Sequence, residues 1–188
     1  MMRLSALVLA MTLCACSPHY NWREFRSQEA PYVVLFPAKP STHTRAVSLD
    51  QLTVQMTMTA TEVDGVVFAV GSARLAEAAQ APAALQAMRA ALARNIGAAE
   101  IAAAVQPGAT APAEKPATPG VPGIPAVPAT SSAAPVVEAR GTRSGQPALL
   151  IGRFFARDGH IYQVVVMGAE RQIDRTQVDT FLASFKPA

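Results

Sequence analysis

Two-residue polar-glycine pairs interrupt runs of β-branched and aromatic residues at Asp64-Gly65, Ser144-Gly145 and Asp158-Gly159. Each predicts a tight hairpin, because glycine accepts the positive φ that primed turns require. Pairing outward from Asp64-Gly65 sets Val54, Met56, Met58 and Ala60 against Val67, Ala69, Gly71 and Ala73 on one face, large side chains against small. That face is core packing. The other face sets Gln55, Thr57, Thr59 and Thr61 against Phe68, Val70, Ser72 and Arg74, a mixed surface expected to be half exposed. Upstream, Tyr32 to Phe36 predicts an edge strand stopped by Pro37, and Arg45 to Leu49 predicts a further strand.

Helical periodicity occurs twice. From about Pro82, Leu85, Met88, Leu92 and Ile96 fall on one stripe at spacings of three and four, and Gly97 ends the helix. A second helix is predicted over 175–184, with Asp174 as N-cap, Gln177 completing a capping box, and Val178, Phe181, Leu182 and Phe185 on its buried side. The order is hairpin strands, helix, meander, terminal helix, which predicts an α+β fold: an antiparallel sheet of hairpins with one long helix and one C-terminal helix packed on it. On the hairpin at Asp158-Gly159, Leu150, Phe154, Ile161, Val165 and Met167 lie on one face, while Ile151, Val164 and Val166 lie on the other. Both faces are apolar, so both need cover, and the two helices are the candidates.

Between 107 and 135 the pattern is lost. Eight of the chain's 15 prolines fall there among Ala, Thr, Gly and Ser, with Glu114 and Lys115 the only charges. Such a stretch buries too little side chain to offset its ordering entropy. It is expected to be a disordered insertion within one domain spanning 31–188, because neither flank alone makes a complete unit; two separate domains are the alternative.

Before the domain come two further segments. Arg3 and the apolar run from Leu4 to Leu13 are too short for a spanning helix, which needs about 20 residues, and read as a secretory signal over residues 1–15. Leu13-Cys14-Ala15-Cys16 resembles the bacterial lipobox, in which a small residue precedes a cysteine that becomes lipidated and starts the mature chain. The resemblance implies lipidation at Cys16, since Ala15 is small whereas the Leu13 before Cys14 is bulky. It also implies sorting to the periplasmic face of the outer membrane, because Ser17 stands where inner-membrane retention would want Asp. Two or more acyl chains, such as palmitate, hold a domain on a bilayer essentially permanently at about 0.8 kcal/mol per buried methylene. The alternative is an ordinary signal peptide and a soluble periplasmic protein. Residues 16–30 then form a tether whose Tyr20, Trp22 and Phe25 either meet the lipid interface or dock the segment onto the domain.

Composition adds mainly exclusions. The 188-residue chain carries 16 Lys+Arg against 13 Asp+Glu, a net charge of +3, with no run of like charges, so nucleic acid is a poor partner. With Cys16 acylated and Cys14 removed, no thiol remains for disulfide, nucleophile or metal. His19, His43 and His160 fall in a tether, a loop and a hairpin, which gives no ligand spacing for a metal. No nucleophile elbow, phosphate-cradling glycine loop or paired-carboxylate motif occurs, and no cofactor and no enzymatic activity is expected. Ser184 reads as a surface residue.

One constellation carries a binding hypothesis. Outward from Asp158-Gly159, Arg157 pairs with His160, Phe155 with Tyr162 and Arg153 with Val164 on a single face, making Arg153, Arg157, His160 and Tyr162 a candidate ligand-facing patch for an anionic or planar group. The plainer reading lays the Arg stems over the sheet with their heads in water.

Phe36-Pro37-Ala38-Lys39-Pro40, Arg153-Phe154-Phe155 and Phe181-Leu182-Ala183-Ser184-Phe185-Lys186 together resemble a group of uncharacterised proteobacterial envelope lipoproteins. The succession of elements is similar to the PsbP/Mog1-like sandwich. Neither resemblance brings a catalytic residue. The expected function is a non-enzymatic binding or assembly module, tethered to the membrane by covalent lipid and meeting an unidentified envelope protein. The alternative is a carrier or sensor of a small apolar ligand held between helix and sheet. A void of about 300 Å³ or more beneath Met56 and Met58 favours the carrier, and a filled core favours the module. A hydrolase, the weakest reading, needs a Ser or Asp near His160 in a cleft.

Overall fold

The structure, a computed structural model, describes residues 19–98, 102–103 (backbone only) and 134–188. Among the described residues, ten strands and two α-helices follow one another as β1 (Arg23–Arg26), β2 (Tyr32–Phe36), β3 (Ser41–Leu49), β4 (Leu52–Val63), β5 (Val66–Arg74), α1 (Ala81–Asn95), β6 (Ala102–Ala103), β7 (Val137–Arg143), β8 (Gln146–Arg157), β9 (His160–Ala169), α2 (Arg175–Ser184) and β10 (Lys186–Pro187). Seven strands form one sheet in the order β3-β4-β5-β9-β8-β7-β6, and β1-β2-β10 form a second. Every pairing is antiparallel, and the class is the expected α+β.

The three predicted hairpins join β4 to β5, β7 to β8 and β8 to β9. Both residues of each turn have positive φ, as type I′ turns demand: +49° and +77° at Asp64-Gly65, +51° and +76° at Ser144-Gly145, +50° and +74° at Asp158-Gly159. The register beyond Asp64-Gly65 places Met56 opposite Ala73, Met58 opposite Gly71 and Ala60 opposite Ala69. A fourth tight turn, unsignalled by glycine, joins β3 to β4. There Asp50 takes φ +58°, a conformation that Asp tolerates better than most residues, and β3 extends back to Ser41.

α1 lies on one face of the large sheet. Met88, Leu92 and Ile96 of the expected stripe, together with Ala84, pack on Met56, Ala73, Leu150, Phe154, Ile161 and Val165, while Leu85 of that stripe is only half-buried. Gly97 (φ +64°) ends the helix: its N–H donates to Arg94 O at 3.1 Å, and Ala98 N–H to Ala93 O at 2.9 Å, a Schellman closure. This end presses against β7 so closely that a Cβ on Gly141 would stand 1.9 Å from Ile96 O. Only glycine fits there.

The other face differs from the expectation. Thr57, Thr59, Phe68, Val70 and Ser72, expected to be half exposed, are buried. They are covered by α2 and by the second sheet, whose central strand is the supposed edge strand, Tyr32–Phe36. Its partners are β1, from the expected tether, and β10, the last strand of the chain. Neither partner carries alternating hydrophobicity, so the pairing had no local signal. Tyr20, Trp22 and Phe25 dock onto this layer, with the rings of Tyr20 and Trp22 6.4 and 6.2 Å from Phe68. α2 begins as expected, Asp174 Oδ1 accepting from Thr176 N–H at 2.8 Å, but among the described residues no bond from Gln177 closes the capping box. Among the described residues, no helix is long and apolar enough to cross a membrane.

Candidate functional site

β8 and β9 place the predicted patch. Arg157 stands opposite His160, Phe155 opposite Tyr162 and Arg153 opposite Val164, all on the α2 face of the large sheet. The four patch residues separate into two environments. Tyr162 is 1 % exposed and belongs to the core: its ring lies 5.2 Å from Phe155, 5.7 Å from Phe185 and 6.2 Å from Tyr32. Burial, followed by the charge of Asp158, holds its hydroxyl above the usual phenol range. His160 is half-buried over the hairpin end, with Nδ1 3.2 Å from Asp158 O.

Arg153 and Arg157 instead line a groove of about 650 Å³ between β8 and the end of α2. Phe155 and Val164 share its floor, Leu182 and Phe185 form the helix wall, and Ala134 and Pro135 stand on the far side. Phe155 is held by rings on two sides, stacked on Tyr162 and edge-on to Phe185 at 5.5 Å. Arg157 is exposed and its Nε reaches Asp158 Oδ2 at 3.2 Å. Arg153 is half-buried, and its Nε is shut off from solvent with no hydrogen-bond acceptor. A buried, unpaired guanidinium N–H is costly to leave unmade, on the order of 1–3 kcal/mol or more.

Among the described residues, the groove is lined by two cations, aromatic and aliphatic walls, and no carboxylate. It is suited to holding an anionic group beside an apolar one. A neighbouring groove of about 680 Å³ lies beyond Pro187, where Glu24 and Arg26 already pair with each other at 3.8 Å. Arg153 is therefore the better-defined recognition point.

Sequence reasoning found Arg153 and Arg157, and it paired Phe155 with Tyr162, but it missed the contributions of Leu182, Phe185 and Pro135. Leu182 and Phe185 were legible as the buried side of α2; what was not legible was which sheet face that side would meet. Ser184 is also more than a surface residue. Its Oγ accepts from Leu35 N–H at 3.0 Å and donates to Phe181 O at 2.7 Å, continuing along β2 where the short β10 ends.

Around Gly71 the face beneath Met58 is tightly packed. A Cβ on Gly71 would meet Gln163 Cγ at 2.6 Å and Met58 Sδ at 2.7 Å, and Gln163 Nε2 itself donates to Met58 Sδ at 3.3 Å. Among the described residues, no three His, Cys, Asp or Glu side chains gather in a way that could hold a metal ion. Cys16 and residues 107–133 of the expected insertion lie outside the described residues. Strands β6 and β7, which flank that stretch, are paired neighbours, Ala103 opposite Val137, so the chain leaves and rejoins the sheet at one edge. No protein-family model, curated protein or solved structure matches the chain.

Proposed function

We propose that this chain is a lipid-anchored protein of the bacterial envelope, held through Cys16 on the periplasmic face of the outer membrane, whose domain is a non-enzymatic binding or assembly module. The observation that carries the binding role is the open groove of about 650 Å³ in which Arg153 and Arg157 flank Phe155. The anchor rests on Leu13-Cys14-Ala15-Cys16. Helices on opposite faces of an antiparallel sheet support the likeness to a PsbP/Mog1-like sandwich within this reading.

Two measurements test it. Metabolic labelling with an alkyne analogue of palmitate should tag the intact chain in the outer-membrane fraction and leave Cys16→Ser untagged; an unlabelled, soluble wild-type chain contradicts the anchor. A photo-crosslinking residue at position 157 should give a discrete adduct in membranes, and one at position 45 on β3 should not. Equal or absent adducts contradict the groove as the binding surface. A second reading, an amphiphile carrier, is favoured by the groove's volume and its Leu182–Phe185 wall between helix and sheet.

A further inference from the structure

We infer that the end of the domain carrying the turns Asp64-Gly65 and Ser144-Gly145 rests against phospholipid headgroups, with Arg143 and Arg171 on lipid phosphate, so that the groove at Arg157 points away from the bilayer; this deepens, and rests on, the reading of the chain as anchored through Cys16.

The entry point of the chain sets the geometry. His19 is the first described residue, and its Nε2 pairs with the Asp64 carboxylate at the tip of the β4–β5 hairpin. Tyr20 and Trp22 follow, stacked on each other at 6.1 Å and edge-on to Phe68. The chain is thus docked on the domain as far back as His19. Cys16 lies three residues before it, a reach of at most about 11 Å fully extended. A headgroup layer is itself about 5–7 Å deep on each side of the hydrocarbon. With Cys16 acylated at the base of that layer, His19 and the hairpin tip lie in it or just above it.

The second turn shares this end. Gly65, Arg143, Ser144, Gln146 and Gln172 line one hollow of about 200 Å³. Carboxylates around it are engaged: Asp64 with His19, Glu170 with Arg140 at 2.9 Å, and Asp174 with Thr176 N–H. Arg143 and Arg171 are exposed and, among the described residues, pair with no carboxylate; Arg171 reaches only Gln146 Oε1, at 3.3 Å. Acyl chains already hold the domain, so these two guanidinium groups select which surface meets the lipid rather than supply the anchoring.

The groove lies towards the other end of the same strand. β8 starts at Gln146 beside the second turn and ends at Arg157, which places the groove between Arg153 and Arg157 about 23 to 36 Å along it. At that end Leu75 N–H donates to Gly159 O at 2.9 Å. With the first end on the bilayer, the groove opens to a partner dissolved in the periplasm.

The test uses the acylated full-length chain in vesicles of phosphatidylethanolamine and phosphatidylglycerol containing a lipid with a nitroxide on its headgroup. With Cys14 removed and Cys16 blocked, Ser144→Cys and Glu77→Cys each offer a single thiol for a fluorescent label; both positions are exposed, and Glu77 follows Leu75 at the groove end. The label at 144 should lose most of its emission to the nitroxide, and the label at 77 almost none. Glu62→Cys, exposed beside Asp64, takes the place of Ser144→Cys if that variant melts early. Arg143→Glu combined with Arg171→Glu should restore much of the emission at 144 while the chain still floats with the vesicles. Equal quenching at the two positions in a floating chain, stronger quenching at 77, or quenching at 144 untouched by the double reversal overturns the inference and leaves the anchor standing. A chain that does not float removes the anchor, and the inference with it.

Discussion

The two faces of the large sheet are built by different routes. On the α1 face, the register of local hairpins places Met56 over Ala73 and Met58 over Gly71, and one amphipathic helix closes it. On the α2 face, residues from both ends of the described chain meet. Tyr20, Trp22 and Tyr32 come from the start and Phe181 and Phe185 from the end, joined through rings 5.3 to 6.4 Å apart. The first face is mostly aliphatic and interlocked. The second is aromatic, carries a hydroxyl seam in which Tyr32 donates to Thr59 at 3.3 Å and Thr59 meets Thr42 at 3.0 Å, and ends in the groove. A face closed by distant segments leaves a gap where those segments run out, and the candidate site occupies that gap.

The contrast predicts where substitutions cost most. Phe181→Ala, at the centre of the aromatic face and touching both Phe36 and Phe68, should cost about 3–5 kcal/mol in denaturant unfolding. Met88→Leu on the aliphatic face should cost less than about 1.5 kcal/mol. Comparable losses would erase the distinction. Next comes Gly141→Ala, which forces α1 off β7 and should cost about 2–3 kcal/mol. Gly145→Ala has open space around it and meets only the strain of φ +76°, so it should cost about 1 kcal/mol. Ser184→Ala follows at about 1–2 kcal/mol, because Leu35 N–H loses its acceptor.

The smallest effect concerns pH. The Arg175 guanidinium bonded to Glu138, helped by the charges of Arg175 and Arg140, holds that carboxyl below its ordinary 4.5 despite some burial. A depressed folded pKa contributes stability that is present above 4.5 and lost as the pH falls through the lower folded value. Glu138→Gln should flatten the acid limb of stability by at most about 1 kcal/mol, since the Arg175 end of the pair is half exposed to solvent. A steeper acid limb in the variant, followed by the denaturant midpoint against pH, would contradict the pairing.

Legibility follows the same division. The turns at Asp64-Gly65, Ser144-Gly145 and Asp158-Gly159, the α1 stripe and the Asp174 cap depend on neighbours a few residues apart, and each could be placed from local pattern. The pairing of Arg23–Arg26 and Lys186–Pro187 around Tyr32–Phe36 spans most of the chain. Its strands are short and without alternation, so nothing local marked Thr57, Thr59 or Ser72 as buried. The site was half legible for the same reason. Arg153 and Arg157 followed from a hairpin, whereas the wall formed by Leu182 and Phe185 required knowing where α2 docks.

The most direct measurement is amide hydrogen exchange along β8 in the free full-length chain, since the groove lies where β7 stops covering that strand. Ala148, Leu150 and Gly152 should exchange slowly through their bonds to β7, while the exposed Ala156 exchanges fast. Protection at Ala156 equal to that at Gly152, with no ligand added, would mean that this side of the groove is already covered and would contradict the account.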